Sequence, residues 1–218
     1  MYYLYSMVSS FDQLDLNKKY TYADYLTWQF QERVELIIGE VFKMTPAPSS
    51  RHQSVVSSIN SSFHQFLKGK KCKVFPAPFD VRLPASPDAS DEHTETVVQP
   101  DVTVVCDLSR IDIKGCKGAP DLVVEVLSET SVKRDLQQKY DLYQQADINE
   151  YWVVYPAEKS ISVFVLNKEG NYETDRPRTC GDVINSKVLK GFGLDLDDLF
   201  LDMVSEPEEP YGEGVRRL

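Results

Sequence analysis

A carboxylate stands in the middle of an apolar stretch at Glu125, within the segment Leu-Val-Val-Glu-Val-Leu of residues 122–127. Because burying an unpaired carboxylate is costly, such a side chain must be neutralised, paired or bound to a metal ion. A second carboxylate, Asp101, opens the preceding apolar stretch. If the two strands are neighbours, both carboxylates and the backbone carbonyl of Val126 would offer the hard oxygen ligands that Mg²⁺ or Mn²⁺ prefers.

A metal ion held in this way can polarise a phosphodiester and lower the pKa of an attacking water. The pattern therefore indicates a hydrolase of phosphate esters. A structural role is the alternative, in which Glu125 pairs with a basic side chain of the core and Asp101 caps a turn. The residue pattern alone leaves both interpretations open.

Alternating helical and strand patterns surround these two residues. Apolar positions at three- and four-residue spacing predict helices over about 21–31, 52–67 and 131–146. Apolar runs predict central strands at 101–106 and 122–127, and a hairpin of 151–155 with 161–166. A hairpin near 34–38 and 41–45, and a strand of 72–83 bent at its prolines, complete the N-terminal half. The order predicts an α/β (α+β) fold with a central mixed sheet, flanking helices and an extra β-hairpin.

Composition narrows the class of protein. The chain has 218 residues, 42% of them hydrophobic and 27% charged, as is typical of a globular protein with one core. No apolar run is long enough to span a membrane, and the N-terminus lacks the basic region of a signal peptide, so we expect a cytoplasmic protein. The net charge of −10 argues against non-specific coating of nucleic acid but does not exclude a nucleic-acid substrate.

The four cysteines do not form a metal-binding or redox motif, because no two of them are separated by two residues. In a reducing compartment we expect all four to be free thiols. We expect residues 1–19 to form an N-terminal extension, residues 20–200 a single domain, and residues 201–218 an acidic tail.

Four segments, taken in order, resemble the Uma-type family of restriction endonuclease-like proteins. They are Val-Gln-Pro-Asp-Val-Thr-Val-Val (98–105), Gly-Ala-Pro-Asp-Leu-Val-Val-Glu-Val-Leu-Ser (118–128), Arg-Asp…Lys-Tyr-x-Leu-Tyr (134–143) and Glu-Tyr-Trp-Val-Val (150–154). The N-terminal half fits as well, through Tyr-Ala-Asp-Tyr-Leu (22–26), Glu-Leu-Ile-Ile-Gly-Glu-Val (35–41) and the His-Gln pair at 52–53. The resemblance covers about residues 20–175.

This resemblance implies a PD-(D/E)XK nuclease core in which Asp101 is the motif aspartate and Glu125 occupies the D/E position. The motif lysine is absent, because Leu127 occupies the position two residues after Glu125. Lys139, on the border of the buried face of the next helix, is the candidate replacement, and its long apolar stem would let the ammonium reach the site. The alternative for Lys139 is an ion pair with Asp135 on an exposed helix face.

Glu40 and His52 are further candidates. Glutamate is not favoured in a hairpin turn, so Glu40 could face the metal site or be a solvated charge. His52 starts a helix whose N-terminus attracts phosphate, or it packs on the hairpin. Asp80 is either an extra ligand or a surface charge, and His64 and His93 are expected to be structural or exposed.

The leading interpretation is a Mg²⁺- or Mn²⁺-dependent endonuclease acting on DNA, with Asp101 and Glu125 holding the ion and Lys139 stabilising the phosphate or orienting water. The alternative is a non-catalytic protein of the same fold that binds protein or nucleic acid. We expect a homodimer, because nucleases that cut both strands often pair their active sites about a two-fold axis. The aromatic stretch of residues 2–5 is a candidate contact.

Overall fold

The computed structural model describes residues 8–44, 48–86, 88–128 and 134–204 of the chain. These residues form an α+β fold with two mixed sheets, a separate hairpin and flanking helices, as the sequence predicts. The aromatic stretch of residues 2–5, proposed as a dimer contact, lies outside the described residues, and so does most of the predicted tail. No helix within the described ranges has both the length and the apolar character needed to cross a membrane.

The described helices are α1 (Tyr22–Tyr25), α2 (Ser50–Leu67), α3 (Arg134–Gln145) and α4 (Leu196–Leu201). The strands of the N-terminal sheet are β1 (Val34–Ile37), β2 (Glu40–Lys43), β4 (Val81–Arg82), β5 (Val97–Val98), β7 (Ile111–Asp112) and β8 (Gly115–Lys117). The strands of the central sheet are β3 (Lys73–Pro76), β6 (Val102–Val105), β9 (Leu122–Val126), β10 (Glu150–Tyr155), β11 (Ser160–Leu166), β12 (Tyr172–Thr174) and β13 (Arg178–Thr179). The separate hairpin is β14 (Val183–Asn185) with β15 (Gly193–Asp195).

The central sheet has the order β12-β11-β10-β9-β6-β3, with β13 also pairing with β11. Strands β9 and β10 are parallel, whereas β6 runs antiparallel to β9. Every residue of β6 and β9 is buried. Their near-continuous valines therefore reflect a sheet that is covered on both faces.

Helix α2 covers one face of the central sheet. Its buried side chains recur at helical spacing and pack against residues of β6, β9 and β10. The ring of Phe63 lies 5.4 Å from the fully buried Trp152. Helix α3 follows β9 and packs on the other side, with Tyr143 fully buried beside Tyr151. The first turn of α2 and the middle of α3 lie near the same end of β6 and β9.

The N-terminal sheet, of order β2-β1-β5-β4-β8-β7, brings β1 next to the site. Its β1–β2 hairpin agrees with the sequence prediction within two residues at each end. The predicted long strand of residues 72–83 is instead two strands in different sheets, β3 and β4, because the chain bends in the region of Pro76 and Pro78.

The predicted helix of residues 21–31 is limited to the single turn of α1. Thr21 and Asp24 form a capping box there. Beyond α1, Trp28 and Phe30 stack on each other at a centroid distance of 5.6 Å and pack with Leu36 of β1. Tertiary packing of these aromatic rings replaces the helix that their spacing predicts.

The prediction of four free thiols is wrong for one pair, since Cys72 and Cys106 form a disulfide. Strands β3 and β6 pair antiparallel, with Lys73 opposite Val105, and the same register places the two cysteines opposite each other. This cross-strand pairing cannot be inferred from their separation of 34 residues. Cys116 and Cys180 are free.

Candidate functional site

Asp101 and Glu125 lie on the neighbouring strand paths of β6 and β9. The register pairs Val102 with Val124, and its continuation places Asp101 opposite Glu125 on the same face. The Asp101 Oδ2 accepts a hydrogen bond from the Val126 backbone N–H at 2.8 Å. The two strands therefore bring together the three groups that the sequence proposes as metal ligands: both carboxylates and the backbone of Val126.

Helix α3 contributes two side chains to the same cluster. The Lys139 ammonium donates to Glu125 Oε1 at 2.9 Å, and the Tyr143 hydroxyl donates to the same oxygen at 2.6 Å. Lys139 and Tyr143 are four residues apart, so they lie on one face of the helix. Lys139 is only 9% exposed. It therefore does not lie on a solvated helix face, as the alternative interpretation of this residue expects.

Glu35 of β1 is the third carboxylate of the cluster, and it was not among the residues predicted from the sequence. Its Oε1 lies 3.1 Å from the Lys139 ammonium and accepts a hydrogen bond from the Gln99 backbone N–H at 2.9 Å. The sequence did hold a signal, because Glu35 stands among apolar residues of a strand in the same way as Glu125. Lys139 consequently bridges two carboxylates that come from different sheets.

His52 lies in the first turn of α2 with its side chain buried. Its Nε2 is 3.3 Å from Asp101 Oδ2. Burial lowers the pKa of His52, but the nearby Asp101 carboxylate outweighs it and holds the pKa above its usual value. His52 is thus in contact with one of the proposed ligand groups, Asp101.

The remaining candidates lie away from this cluster or at its margin. Glu40 is exposed and pairs with Lys19 at 2.8 Å on the surface, where it makes no contact with the carboxylate cluster. Asp80 is half-buried, accepts from Gln99 Nε2 at 2.8 Å, and so lies one residue beyond Glu35 in the hydrogen-bond network. His64 and His93 are exposed.

The Lys139 ammonium contacts the carboxylates of Glu35 and Glu125, and Asp101 is the remaining carboxyl group of this cluster. Burial raises the pKa of Glu125 to about 7, Lys139 opposes this rise, and repulsion by Asp101 and Glu35 adds to it. Burial also opposes the charge of Lys139, but Glu125 and Glu35 outweigh it and hold the pKa of that ammonium above its usual range. The site therefore has an excess of negative charge that a further cation would relieve.

The donor atoms fit a hard divalent cation. Glu125 Oε1 is engaged by Lys139 and Tyr143, whereas Oε2 makes no hydrogen bond to any described residue. Over the described part of the chain, no set of three or more His, Cys, Asp or Glu side chains is arranged to hold a metal by itself. An ion would accordingly depend on two carboxylates, a backbone carbonyl and water, a ligand set that Mg²⁺ accepts.

Comparison with known proteins places these residues in a family. The profile of the Uma2 family, described as putative restriction endonuclease, matches residues 22–197. An uncharacterised protein of Synechocystis sp. (strain PCC 6803), slr1290, is 26% identical over 153 residues, which cover 68% of this chain and 75% of the relative.

A solved structure shares the fold. The crystal structure of a putative nuclease belonging to DUF820 from Anabaena variabilis aligns with a TM-score of 0.66 at 18% identity. The alignment covers 85% of this chain and 99% of the other. Because the family profile spans most of the chain, including every residue of the cluster described above, the chain belongs to the Uma2 family of restriction endonuclease-like proteins.

Proposed function

We propose that this protein is a metal-dependent endonuclease that hydrolyses phosphodiester bonds of DNA. The observation that carries the proposal is the convergence of Glu35, Asp101, Glu125 and Lys139 from two sheets and a helix into one cluster, in which all but Asp101 are buried. Buried carboxylates in excess of their cationic partners are costly for stability, and such clusters are characteristic of functional sites. Membership in a nuclease-like family supports the same conclusion.

The groups proposed to hold Mg²⁺ or Mn²⁺ are the carboxylates of Asp101 and Glu125 and the backbone carbonyl of Val126. The ion, when bound, would polarise the scissile phosphate and lower the pKa of the attacking water. The Val126 N–H fixes the orientation of Asp101, and Tyr143 fixes that of Glu125. These hydrogen bonds hold the two carboxylates in place before substrate binds.

Lys139 is proposed to stabilise the negative charge that develops on the phosphate, or to orient the attacking water. Its ammonium stays charged because Glu125 and Glu35 flank it, and it can release one of these carboxylates to contact a phosphate oxygen. A preorganised donor of this kind is typically worth about 10²–10³ in rate. His52, in contact with Asp101, could contact the phosphate as well.

We also propose that the protein acts as a homodimer. Nucleases that cut both strands of a duplex often pair two active sites of opposite orientation about a two-fold axis. Light scattering at high micromolar concentration tests this part of the proposal, and a monomeric mass would contradict it.

Plasmid nicking with Mg²⁺, with Mn²⁺ and with a chelator tests the main proposal. Wild type should nick only with a metal ion, Glu125→Gln should not nick, and Glu40→Gln, a matched change at an exposed carboxylate, should nick like wild type. Absence of nicking by wild type under every metal condition would favour the alternative, a non-catalytic binding protein of the same fold. A separate readout is thermal unfolding, in which metal should stabilise wild type and leave Glu125→Gln unchanged.

A further inference from the structure

Arg33 is an exposed arginine whose guanidinium is nevertheless fixed in position. Its Nε and Nη2 both donate to the side-chain oxygen of Gln99, at 3.1 and 2.8 Å. Gln99 is 7% exposed, so the acceptor is a rigid part of the interior. Within the described residues Arg33 makes no ion pair, and it is therefore a positioned cation without a carboxylate partner.

The same glutamine ties Arg33 to the carboxylate cluster. The Gln99 backbone N–H donates to Glu35, and the Gln99 side chain accepts from Arg33. The Met44 N–H donates to the Arg33 carbonyl at 2.9 Å, so the pairing of β1 with β2 extends to this residue. Arg33 directly precedes β1, and its shared contact with Gln99 places it on the same side of the sheet as Glu35.

Arg33 also lines a polar groove at the protein surface. Gln29, Gln31 and Lys43 line it together with Arg33. Glu32 also lines it and pairs with Lys43 at 3.3 Å, so the two cations outnumber the one carboxylate. A groove with a net positive charge is notable on a protein of net charge −10, because it can attract a polyanion locally.

We propose that Arg33 binds a backbone phosphate of the DNA substrate near the phosphate that is cleaved. This inference rests on the proposed nuclease function and extends it to substrate binding. Because Gln99 contacts both Arg33 and Glu35, a phosphate bound by Arg33 would lie near the carboxylate cluster. A guanidinium held from behind by Gln99 keeps its remaining N–H groups for two hydrogen bonds to phosphate oxygens, the geometry for which arginine is suited.

Binding without cleavage tests this proposal. Fluorescence anisotropy of short fluorescein-labelled duplexes of two unrelated sequences, in the presence of a chelator and over a series of KCl concentrations, gives the dissociation constant and its salt dependence. Arg33→Ala should weaken binding of both duplexes about tenfold, because a hydrogen bond to a charged group is lost. It should also reduce the slope of log K against log salt by about one.

Arg176→Ala is the matched control, because Arg176 is an exposed arginine whose guanidinium is held by Asp182 at 2.7 and 2.8 Å. It should leave both the affinity and the salt slope unchanged. Arg33→Lys keeps the charge but not the paired donors, and it should retain the slope while losing part of the affinity. Thermal unfolding of each variant separates a lost contact from a lost fold.

The outcomes separate this inference from the nuclease proposal. If wild type binds and nicks DNA but Arg33→Ala has the same affinity and salt slope as wild type, only the role of Arg33 is overturned. If Arg33→Ala and Arg176→Ala weaken binding equally, the effect is one of overall charge and the inference is again wrong. If wild type neither binds nor nicks DNA, both proposals fail.

Discussion

The Lys139 ammonium lies 2.9 Å from Glu125 Oε1, in a chain where the position two residues after Glu125 is Leu127. Leu127 is only partly buried and packs with apolar side chains at the edge of the core. The ammonium next to Glu125 thus comes from helix α3, fourteen residues later, which is consistent with the proposal that Lys139 replaces the lysine of the PD-(D/E)XK pattern. A helix that packs back over the sheet can deliver a long side chain to the same point in space.

Removal of this charge should abolish most of the activity. Lys139→Ala is expected to lower the nicking rate about 10²–10³-fold while the far-ultraviolet circular dichroism remains that of a folded protein. The same variant should unfold at lower denaturant concentration, because Glu35 and Glu125 lose their shared partner. Single-turnover nicking rates and urea unfolding measure the two effects.

Reintroduction of lysine on the strand is the complementary test. Position 127 points to the same face as Glu125, so Leu127→Lys combined with Lys139→Ala should restore part of the rate. Nicking by Lys139→Ala at the wild-type rate would contradict the role of Lys139, and the cationic group would then have to be sought elsewhere.

The raised pKa of Glu125 implies that the stability of the metal-free protein depends on pH. Burial raises this pKa from 4.5 to about 7, so the folded protein holds a proton that the unfolded chain releases between these pH values. The contribution of Glu125 to the free energy of unfolding should therefore fall by about 3 kcal/mol as the pH rises from 4.5 to 7. Glu125→Gln removes this dependence, and it should gain stability relative to wild type at pH 8 more than at pH 5.

Urea unfolding in the presence of a chelator at these two pH values measures the difference. An equal stability difference between wild type and Glu125→Gln at both values would show that Glu125 has an ordinary pKa. Addition of Mg²⁺ should raise the stability of wild type most at pH 8, where the carboxylate is ionised and can bind the ion.

Local patterns predicted Asp101 and Glu125, and the family resemblance added Lys139 as the replacement for the lysine missing at position 127. A charge inside an apolar strand, or at the border of an apolar helix face, indicates a partner in the interior. Glu35 has the same local signal, but its relevance depends on the pairing of β1 with β5, in which Leu36 lies opposite Val97. That contact joins distant parts of the chain, and no local periodicity encodes it.

The same limitation explains the other differences. The strands that the sequence did not reveal, such as β5 and β7, have only two residues each, too few for an alternating pattern. The pairing of Cys72 with Cys106 depends on the register of β3 and β6, which is set by tertiary structure. The central strands and α2 were predictable because their apolar residues repeat over several turns or successive positions.

Glu35 and Glu40 provide a matched pair of variants on one hairpin. Glu35→Gln removes a buried charge that holds Lys139, and we expect at least a tenfold loss of nicking rate. Glu40→Gln removes an exposed charge paired with Lys19, and we expect no change in rate and less than about 0.5 kcal/mol in stability. A nicking rate of Glu35→Gln equal to that of wild type would show that Glu35 takes no part in the reaction.

The disulfide predicts a redox dependence of stability. Closing a loop of 34 residues should stabilise the fold by about 4 kcal/mol in the chain-entropy description. Urea unfolding with and without a reducing agent measures this, and Cys72→Ser should equal the reduced wild type. Mass spectrometry after alkylation of the denatured, unreduced protein should find two modified cysteines, Cys116 and Cys180, whereas four would show that the bond is absent.

Glu150 is a buried carboxylate whose two oxygens both accept hydrogen bonds, unlike those of Glu125. We therefore expect its substitution to affect stability and not activity. Its oxygens accept from Trp152 Nε1 at 2.8 Å and from three donors of the loop at residues 186–188, between 2.8 and 3.0 Å. Every oxygen is therefore satisfied, whereas Glu125 has an oxygen without a described partner. An amide can replace only one of the two acceptors, so Glu150→Gln leaves buried donors unpaired.

Glu150→Gln should accordingly lower the free energy of unfolding by about 3 kcal/mol or more, while Glu158→Gln, at an exposed turn, should not. The nicking rate per folded molecule and the thermal stabilisation by Mg²⁺ should remain those of wild type, because the four donors of Glu150 belong to the C-terminal loop and β10 and not to the proposed metal site. Loss of the Mg²⁺ effect in a folded Glu150→Gln protein would mean that the site extends to this carboxylate. A loss of stability alone, measured by urea unfolding, is the result that the hydrogen-bond geometry predicts.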